Sequence, residues 1–411
     1  MREDEAMNNH VGNAIGTIDV SRPGIFRDDA WRPLFAKLRA EDPVHYCADS
    51  RSGPYWSITR YEDIVRVDTD PVSFSSHFSR GGVTLDDRKT SQSFMQMDPP
   101  DHTRKRKSVT GIVAPKSLGQ MEILIRERAG RTLDALPRNQ EFDWVENVSI
   151  ELTSMMLATL FGHPVEDRRR LVRWSDIITA DLEDPESPIS TEEERQEVLK
   201  EFYMSMVDVW QRRQSEPPGF DIISILAHDP EMRSASLQEV TSVFGLFLVG
   251  GNDTTRNSMS GGVWGFAQNP DEWAKLKANP KLLGNAVSEI IRFQTPVIYE
   301  RRTATRDVEL GGKTIAEGDR VAMWYISGNR DESVFDEPDR LRIERPNARQ
   351  HLSFGMGPHR CIGSRLAEMQ LRVLWEEVLA RGLEIEVLTP PTYAFSNLVR
   401  SPTRLPVRIK G

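Results

Sequence analysis

Residues 236–268 limit the fold more than any other stretch. Ser236-Leu-Gln-Glu239 has the residues of a capping box, in which serine and glutamate each accept the other's backbone N–H. An apolar pattern then runs through Val243, Phe247, Val249 and Val263 to a stop at Asn269-Pro270. The pattern predicts one helix of about 33 residues, roughly 50 Å long at the α-helical rise. A helix of that length crosses the whole molecule, so the other elements must pack around it. Its centre reads Gly250-Gly251-Asn252-Asp253-Thr254-Thr255, and each glycine costs a helix interior up to about 1 kcal/mol relative to alanine. A buried helix that keeps a polar, glycine-bearing centre points to a functional site. The competing reading is a packing notch where another helix crosses.

The chain has 411 residues, 38% of them hydrophobic and 28% charged, which suits a large globular core. Length alone allows two or three domains. No linker-like segment divides the chain, so a single domain over 1–411 is expected, with 1–20 as an irregular arm. A net charge of −9 argues against bulk nucleic-acid binding. Only Cys47 and Cys361 are present, a usage that suits a reducing cytoplasm. The N-terminus lacks the apolar core of a signal peptide, and no run reaches the roughly 18 apolar residues of an integral membrane span. A cytoplasmic protein is expected.

The remaining pattern predicts a mainly α fold with small β-sheets. Helical periodicity covers 28–39, 61–67, 148–161, 167–180, 191–213, 271–277 and 281–293, and a last helix runs from Cys361 to Ala380. Alternation at 44–46 and 55–59 reads as a hairpin, and glycine pairs over 302–324 read as a meander. The acidic, proline-broken stretch 181–189 joins two helices as either a mobile lid or a plain surface connection. The aperiodic stretch 78–90 is a loop.

The last helix is preceded by His351-Leu-Ser-Phe354-Gly355-Met-Gly357-Pro-His359-Arg360-Cys361-Ile-Gly363. Glycines here let the backbone turn and let a bulky planar ligand approach it. A cysteine at a helix N-terminus is expected to have a lowered pKa and to bind metal as thiolate. No partner lies at zinc-site spacing. A lone thiolate suits a metal whose other ligands come from elsewhere, as haem nitrogens do. Two further pairs share helix faces: His102 with Arg106 at i,i+4, and Glu289 with Arg292 at i,i+3. The first suits a dianionic ligand or simply a solvated basic helix.

Together these pieces resemble a cytochrome P-450, a haem-thiolate monooxygenase, over essentially the whole chain and in the family's order. The haem-ligand loop matches at Phe354, Gly355, Gly357, Cys361 and Gly363, and the Glu-x-x-Arg motif at Glu289 and Arg292. The partner arginine of the meander matches at Arg340, the acid–alcohol pair at Asp253 and Thr254, and the propionate-binding His-x-x-x-Arg at His102 and Arg106. The resemblance implies haem b with Cys361 as iron ligand. It implies Arg302 and His359 as further propionate partners, and a buried structural network of Glu289, Arg292 and Arg340. It also implies that Thr254 hydrogen-bonds dioxygen while Asp253 relays protons on the distal face.

The sequences around Gly250 and after Gly363 resemble, more closely, the soluble bacterial members that hydroxylate the terminal carbon of medium-chain alkanes, fatty acids and similar linear molecules. The implied walls of a narrow channel are Phe94 and Met95, Leu246, Val249 and Gly250. Val297 and Ile298, with Phe395 and Leu398, complete the expected set. No reductase module fits beside the haem domain, so a separate ferredoxin and its NAD(P)H-dependent reductase are expected. Arg104, Lys105, Lys107 and Arg360 form a candidate basic patch for the ferredoxin, or are scattered solvated charges. Competing functions are a terpene or steroid hydroxylase on the same fold, and a non-catalytic haem sensor or carrier.

Overall fold

The computed structural model describes residues 15–87 and 90–411. Most of the predicted arm, 1–14, lies outside the described residues, as do 88–89 of the loop 78–90. The arm's remainder starts in a short turn, Ile15–Thr17, and goes on to bury Ile18 and Val20.

Leu237–Gln268 is one helix of 32 residues, capped as its sequence predicts. Ser236 Oγ accepts the Glu239 N–H at 3.2 Å, and Glu239 Oε2 accepts the Ser236 N–H at 3.0 Å. The helices Glu151–Phe161, Arg168–Thr179, Leu283–Gln294 and Ser364–Ala380 pack around it. Small residues in its second half admit that crowding. A Cβ on Gly262 would come within 2.9 Å of Trp375. The central glycines divide the two sequence readings between them. Gly251 is a notch, where a Cβ would stand 3.2 Å from Leu157, whereas Gly250 faces open space.

The principal sheet has five strands in the order Val44–Cys47, Tyr55–Ile58, Arg320–Met323, Glu300–Ala304, Phe74–Ser75. All neighbours are antiparallel except Tyr55–Ile58 with Arg320–Met323. The meander predicted over 302–324 is thus divided. Its outer strands join this sheet, while Val308–Leu310 and Lys313–Ile315 form their own hairpin. That hairpin turns at Gly311 (φ 57°) and Gly312 (φ 75°), conformations that favour glycine. Near the C-terminus, Pro406–Lys410 pairs with both Glu141–Asp143 and Glu384–Val387.

The largest hydrophobic core surrounds the long helix, and a second, with Phe26, Phe35 and Trp324 in mutual ring contact, lies against the five-stranded sheet. The fold is mainly α with small sheets. Among the described residues no helix is long and apolar enough to cross a membrane.

Candidate active site

The segment before the last helix and the centre of the long helix line one cavity of about 660 Å³, within the range typical of ligand sites. In the cysteine loop, Gly355 and Gly357 have φ of 64° and 61°. A Cβ at Gly357 would come 2.7 Å from the carbonyl oxygen of Asp68, so only glycine fits there. The turn is closed by the Cys361 N–H, which donates to the Phe354 carbonyl at 2.7 Å. Phe354, Cys361 and Gly363 all line the cavity.

Two details differ from the sequence expectation. The helix starts at Ser364, so Cys361 precedes it. Burial raises the Cys361 pKa, outweighing the Gly363 backbone hydrogen bond and the charges of Arg106 and Arg360. The thiol is accessible, but from the cavity. A metal held there, not the helix end, would fix it as thiolate.

Beside the cysteine is a set of bases, His102 buried and His359 and Arg106 half-buried. The His102 and His359 rings lie 4.2 Å apart, and among the described residues neither imidazole has a hydrogen-bond partner at either nitrogen. Burial first, then neighbouring arginine charge, lowers His102 to about 4 and His359 to about 2. Arg106 donates to the Arg360 carbonyl at 2.5 Å and, with His359, lines the cavity. Unsatisfied buried donors are costly. Two imidazoles and a guanidinium next to an accessible thiol fit the propionates of a haem whose iron meets Cys361. Among the described residues no group of three or more His, Cys, Asp or Glu is arranged for another metal.

Arg302 departs from its expected place. It is buried but does not line the cavity. Its guanidinium donates to Asp68 at 2.7 Å and Glu300 at 3.1 Å. Asp68 in turn accepts the Met356 N–H at 2.7 Å and the Tyr325 hydroxyl at 3.0 Å. Arg302 therefore anchors the cysteine loop through Asp68, and Glu300 and Tyr325 are the members of this cluster that reach the cavity.

The structural network also needs a correction. Arg292 binds Glu289 through two hydrogen bonds of 2.8 and 2.9 Å, both residues fully buried. The third side chain is Arg345, not Arg340. Arg340 points outward to Asp271, and only its backbone carbonyl joins the network, accepting from Arg292 and Arg345. The two arginines share one coil, and composition does not say which folds inward.

On the long helix, Thr254 lines the cavity and donates to the Gly250 carbonyl at 2.9 Å. Asp253 is turned away from the cavity, contrary to the expected distal placement of both. Its carboxylate accepts from Arg256 at 2.8 Å and Asn252 at 3.0 Å. Burial raises its pKa to about 6, with Arg256 opposing. Arg256 also reaches Asp176, whose side chain is 44% exposed, so charged groups lead from the surface to Asp253.

Of the expected channel walls, Phe94, Met95, Leu246, Val249, Gly250, Val297 and Leu398 line the cavity. Ile298 and Phe395 do not. Val297 bridges Val399 across two extended segments, so the next side chain, Ile298, faces the opposite way into the second core. Phe395 lies against Gly24 and under the Arg27 guanidinium. Asp181 and Leu182 bring the 181–189 connection to the cavity. The predicted basic patch is smaller than expected, because Arg104 meets Asp101 and Glu231 while Lys105 meets Glu231 and Glu239. Sequence reasoning missed Arg345, Asp68 and Glu300, and did not place Tyr203 on the cavity wall. For Tyr203 the only signal was a polar aromatic within the helix Glu192–Arg213.

The family model for cytochrome P-450 matches residues 51–392. CYP153D17 from Sphingomonas sp. PAMC 26605 superposes with a TM-score of 0.89 at 43% identity, covering 96% of this chain and 99% of its own. Cytochrome P-450-153 from Novosphingobium aromaticivorans gives 0.88 at 40% identity, over 95% and 99%. Linalool 8-monooxygenase of Pseudomonas putida is 36% identical over 93% of this chain and 96% of its own. Steroid C26-monooxygenase of Mycobacterium bovis is 31% identical over 91% and 88%.

Proposed function

Because the chain belongs to the cytochrome P-450 family, we propose that this haem b monooxygenase hydroxylates the terminal carbon of a medium-chain alkane, fatty acid or similar linear aliphatic. One observation carries the reading. Residues from Gln238 to Ser258 of a single helix line the cavity, a span of about 30 Å at the helical rise. A cavity drawn out along a helix, with apolar walls at Leu246, Val249, Val297 and Leu398, favours an extended molecule presented end-on.

Haem, when bound, supplies the iron centre at which dioxygen is activated. The side chains have simpler tasks. Cys361 would ligate the iron, and its thiolate would supply the electron density that makes such a centre competent for O–O cleavage. His102, His359 and Arg106 hold the propionates by charge-assisted hydrogen bonds, and Arg302 steadies the loop through Asp68. Thr254 presents a hydroxyl hydrogen bond to dioxygen. Asp253 relays protons from water by turning between the Arg256 guanidinium, which keeps its own proton, and the cavity beside Thr254. The apolar walls place the C–H bond and exclude water.

The family draws electrons from redox partners. For this chain we assign a separate ferredoxin and its NAD(P)H-dependent reductase in the cytoplasm, with Lys107 and Arg360 as the remaining candidate contacts. The names of two relatives, a linalool and a steroid monooxygenase, favour a terpene or steroid substrate as the second reading. Product analysis on octane and dodecanoate separates the two. Terminal alcohols are expected; purely subterminal products, or none, would sink the terminal assignment.

A further inference from the structure

One phenol in the cavity has no hydrogen-bond partner among the described residues. Tyr203, on the helix Glu192–Arg213, lines the cavity. Its hydroxyl makes no hydrogen bond among the described residues, and burial alone raises its pKa, so it stays a neutral donor. It stands against the long helix at Gly245, where an added Cβ would come 3.3 Å from the hydroxyl oxygen. One turn earlier, Ser242 also lines the cavity; its oxygen accepts the Gln92 N–H at 3.1 Å, which leaves its own O–H available. Arg195, the nearby buried cation, is already engaged. It donates to the carbonyls of Ile177 and Ala180 at 2.5 and 3.0 Å and pairs with Glu192 at 2.9 Å.

The geometry points to Tyr203, assisted by Ser242, as the anchor for a neutral oxygen at the end of the substrate remote from the oxidised carbon. This rests on the linear-aliphatic reading and narrows it. A phenol and a serine hydroxyl satisfy an alcohol or carbonyl oxygen, but they do not offset the desolvation of a carboxylate. Spacing along the helix supplies a ruler. From Gly245 to Gly250 is about 8 Å and to Thr254 about 14 Å at the α-helical rise. Each methylene of an extended chain advances roughly 1.25 Å, the projection of a C–C bond. About six to eleven carbons then separate the anchored oxygen from the carbon beside Gly250 and Thr254.

The test is a spectral titration of the haem-loaded full chain with decan-1-ol, decane and decanoate, for the natural protein and Tyr203→Phe. The variant keeps the ring, which packs 5.1 Å from Phe202, and loses one oxygen. The natural protein should bind decan-1-ol more tightly than decanoate. Tyr203→Phe should weaken decan-1-ol about fivefold, in line with one lost hydrogen bond, and leave decane within about twofold. Equal changes for alcohol and alkane, or none, overturn the anchor alone. A loss larger for decanoate than for decan-1-ol overturns its neutral chemistry. No response of the natural protein to any of the three overturns the anchor together with the linear reading beneath it.

Discussion

Arg345 Nε lies 3.0 and 3.1 Å from the two carboxylate oxygens of Glu289, and both side chains are buried. The same carboxylate holds Arg292 and the backbone N–H of Arg342. Removing Arg345 leaves the Glu289–Arg292 pair in place but takes a buried donor from that carboxylate and from the carbonyls of Asp336, Glu337 and Arg340, at about 1–3 kcal/mol for each buried group left unsatisfied. Arg345→Ala should therefore lose that order of stability in urea denaturation and retain haem poorly. Arg340→Ala, which breaks only an exposed pair with Asp271, should lose less than about 1 kcal/mol. Equal effects of the two variants would refute this division.

The two cysteines should respond differently to haem removal. Cys47 is buried, and its pKa is raised to about 11, burial acting first and Asp19 adding to it. Cys361 is accessible from the cavity. Alkylation with iodoacetamide at pH 8.5, read by peptide mass spectrometry, should label Cys361 in haem-stripped protein and neither cysteine in the loaded form. Cys361→Ser should also lose the thiolate-type carbonyl-difference band. Labelling of Cys361 that haem does not slow would remove it as the ligand.

Much of this site was legible because its elements carry local signatures. The capping box at Ser236–Glu239 and the stop at Asn269-Pro270 fix the long helix, and positive-φ glycines mark the cysteine loop. What stayed hidden depends on tertiary direction. Asp253 and Thr254 are neighbours, yet a helix turns consecutive residues about 100° apart, so one meets the cavity and the other Arg256. Ile298 fails as a wall because extended backbone alternates its faces. Arg302 carries the charge expected of a propionate partner, but Asp68, far away in sequence, and Glu300, two residues before it, engage it first.

Asp253 should make stability depend on pH. Its pKa is raised to about 6 by burial, with Asp176 adding to the effect and Arg256 opposing it. Glu146 acts on Arg256 and Asp176 in turn. A carboxyl raised on folding holds its proton longer in the folded state, so its contribution is full below about pH 4 and is lost as pH rises through 6. The natural protein should thus be more stable relative to Asp253→Asn at pH 5 than at pH 8, by on the order of 1 kcal/mol. Parallel urea denaturation at the two pH values measures it, and a constant gap would contradict it.

Arg51 is placed to latch the cavity. It lies in the turn between the strands Val44–Cys47 and Tyr55–Ile58, and grips Asp181 through hydrogen bonds of 2.8 and 3.1 Å, with Glu183 at 3.3 Å. Asp181 and Leu182 line the cavity, and Arg195 holds the end of the preceding helix by its last carbonyls. The chain is thus fixed up to Ala180, and the start of the connection, Asp181, is held by a pair whose side chains are 27% and 18% exposed. A pair of that exposure is worth about 1 kcal/mol or less and weakens with salt. Arg51→Ala should raise the association and dissociation rates of a ligand together, by up to about fivefold, with Kd nearly unchanged. High salt should bring the natural protein towards the variant, and exchanging the two charges, Arg51→Asp with Asp181→Arg, should restore slow exchange. Stopped-flow spectral changes read all three, and rates untouched by Arg51→Ala would show that the 181–189 connection is a plain surface loop.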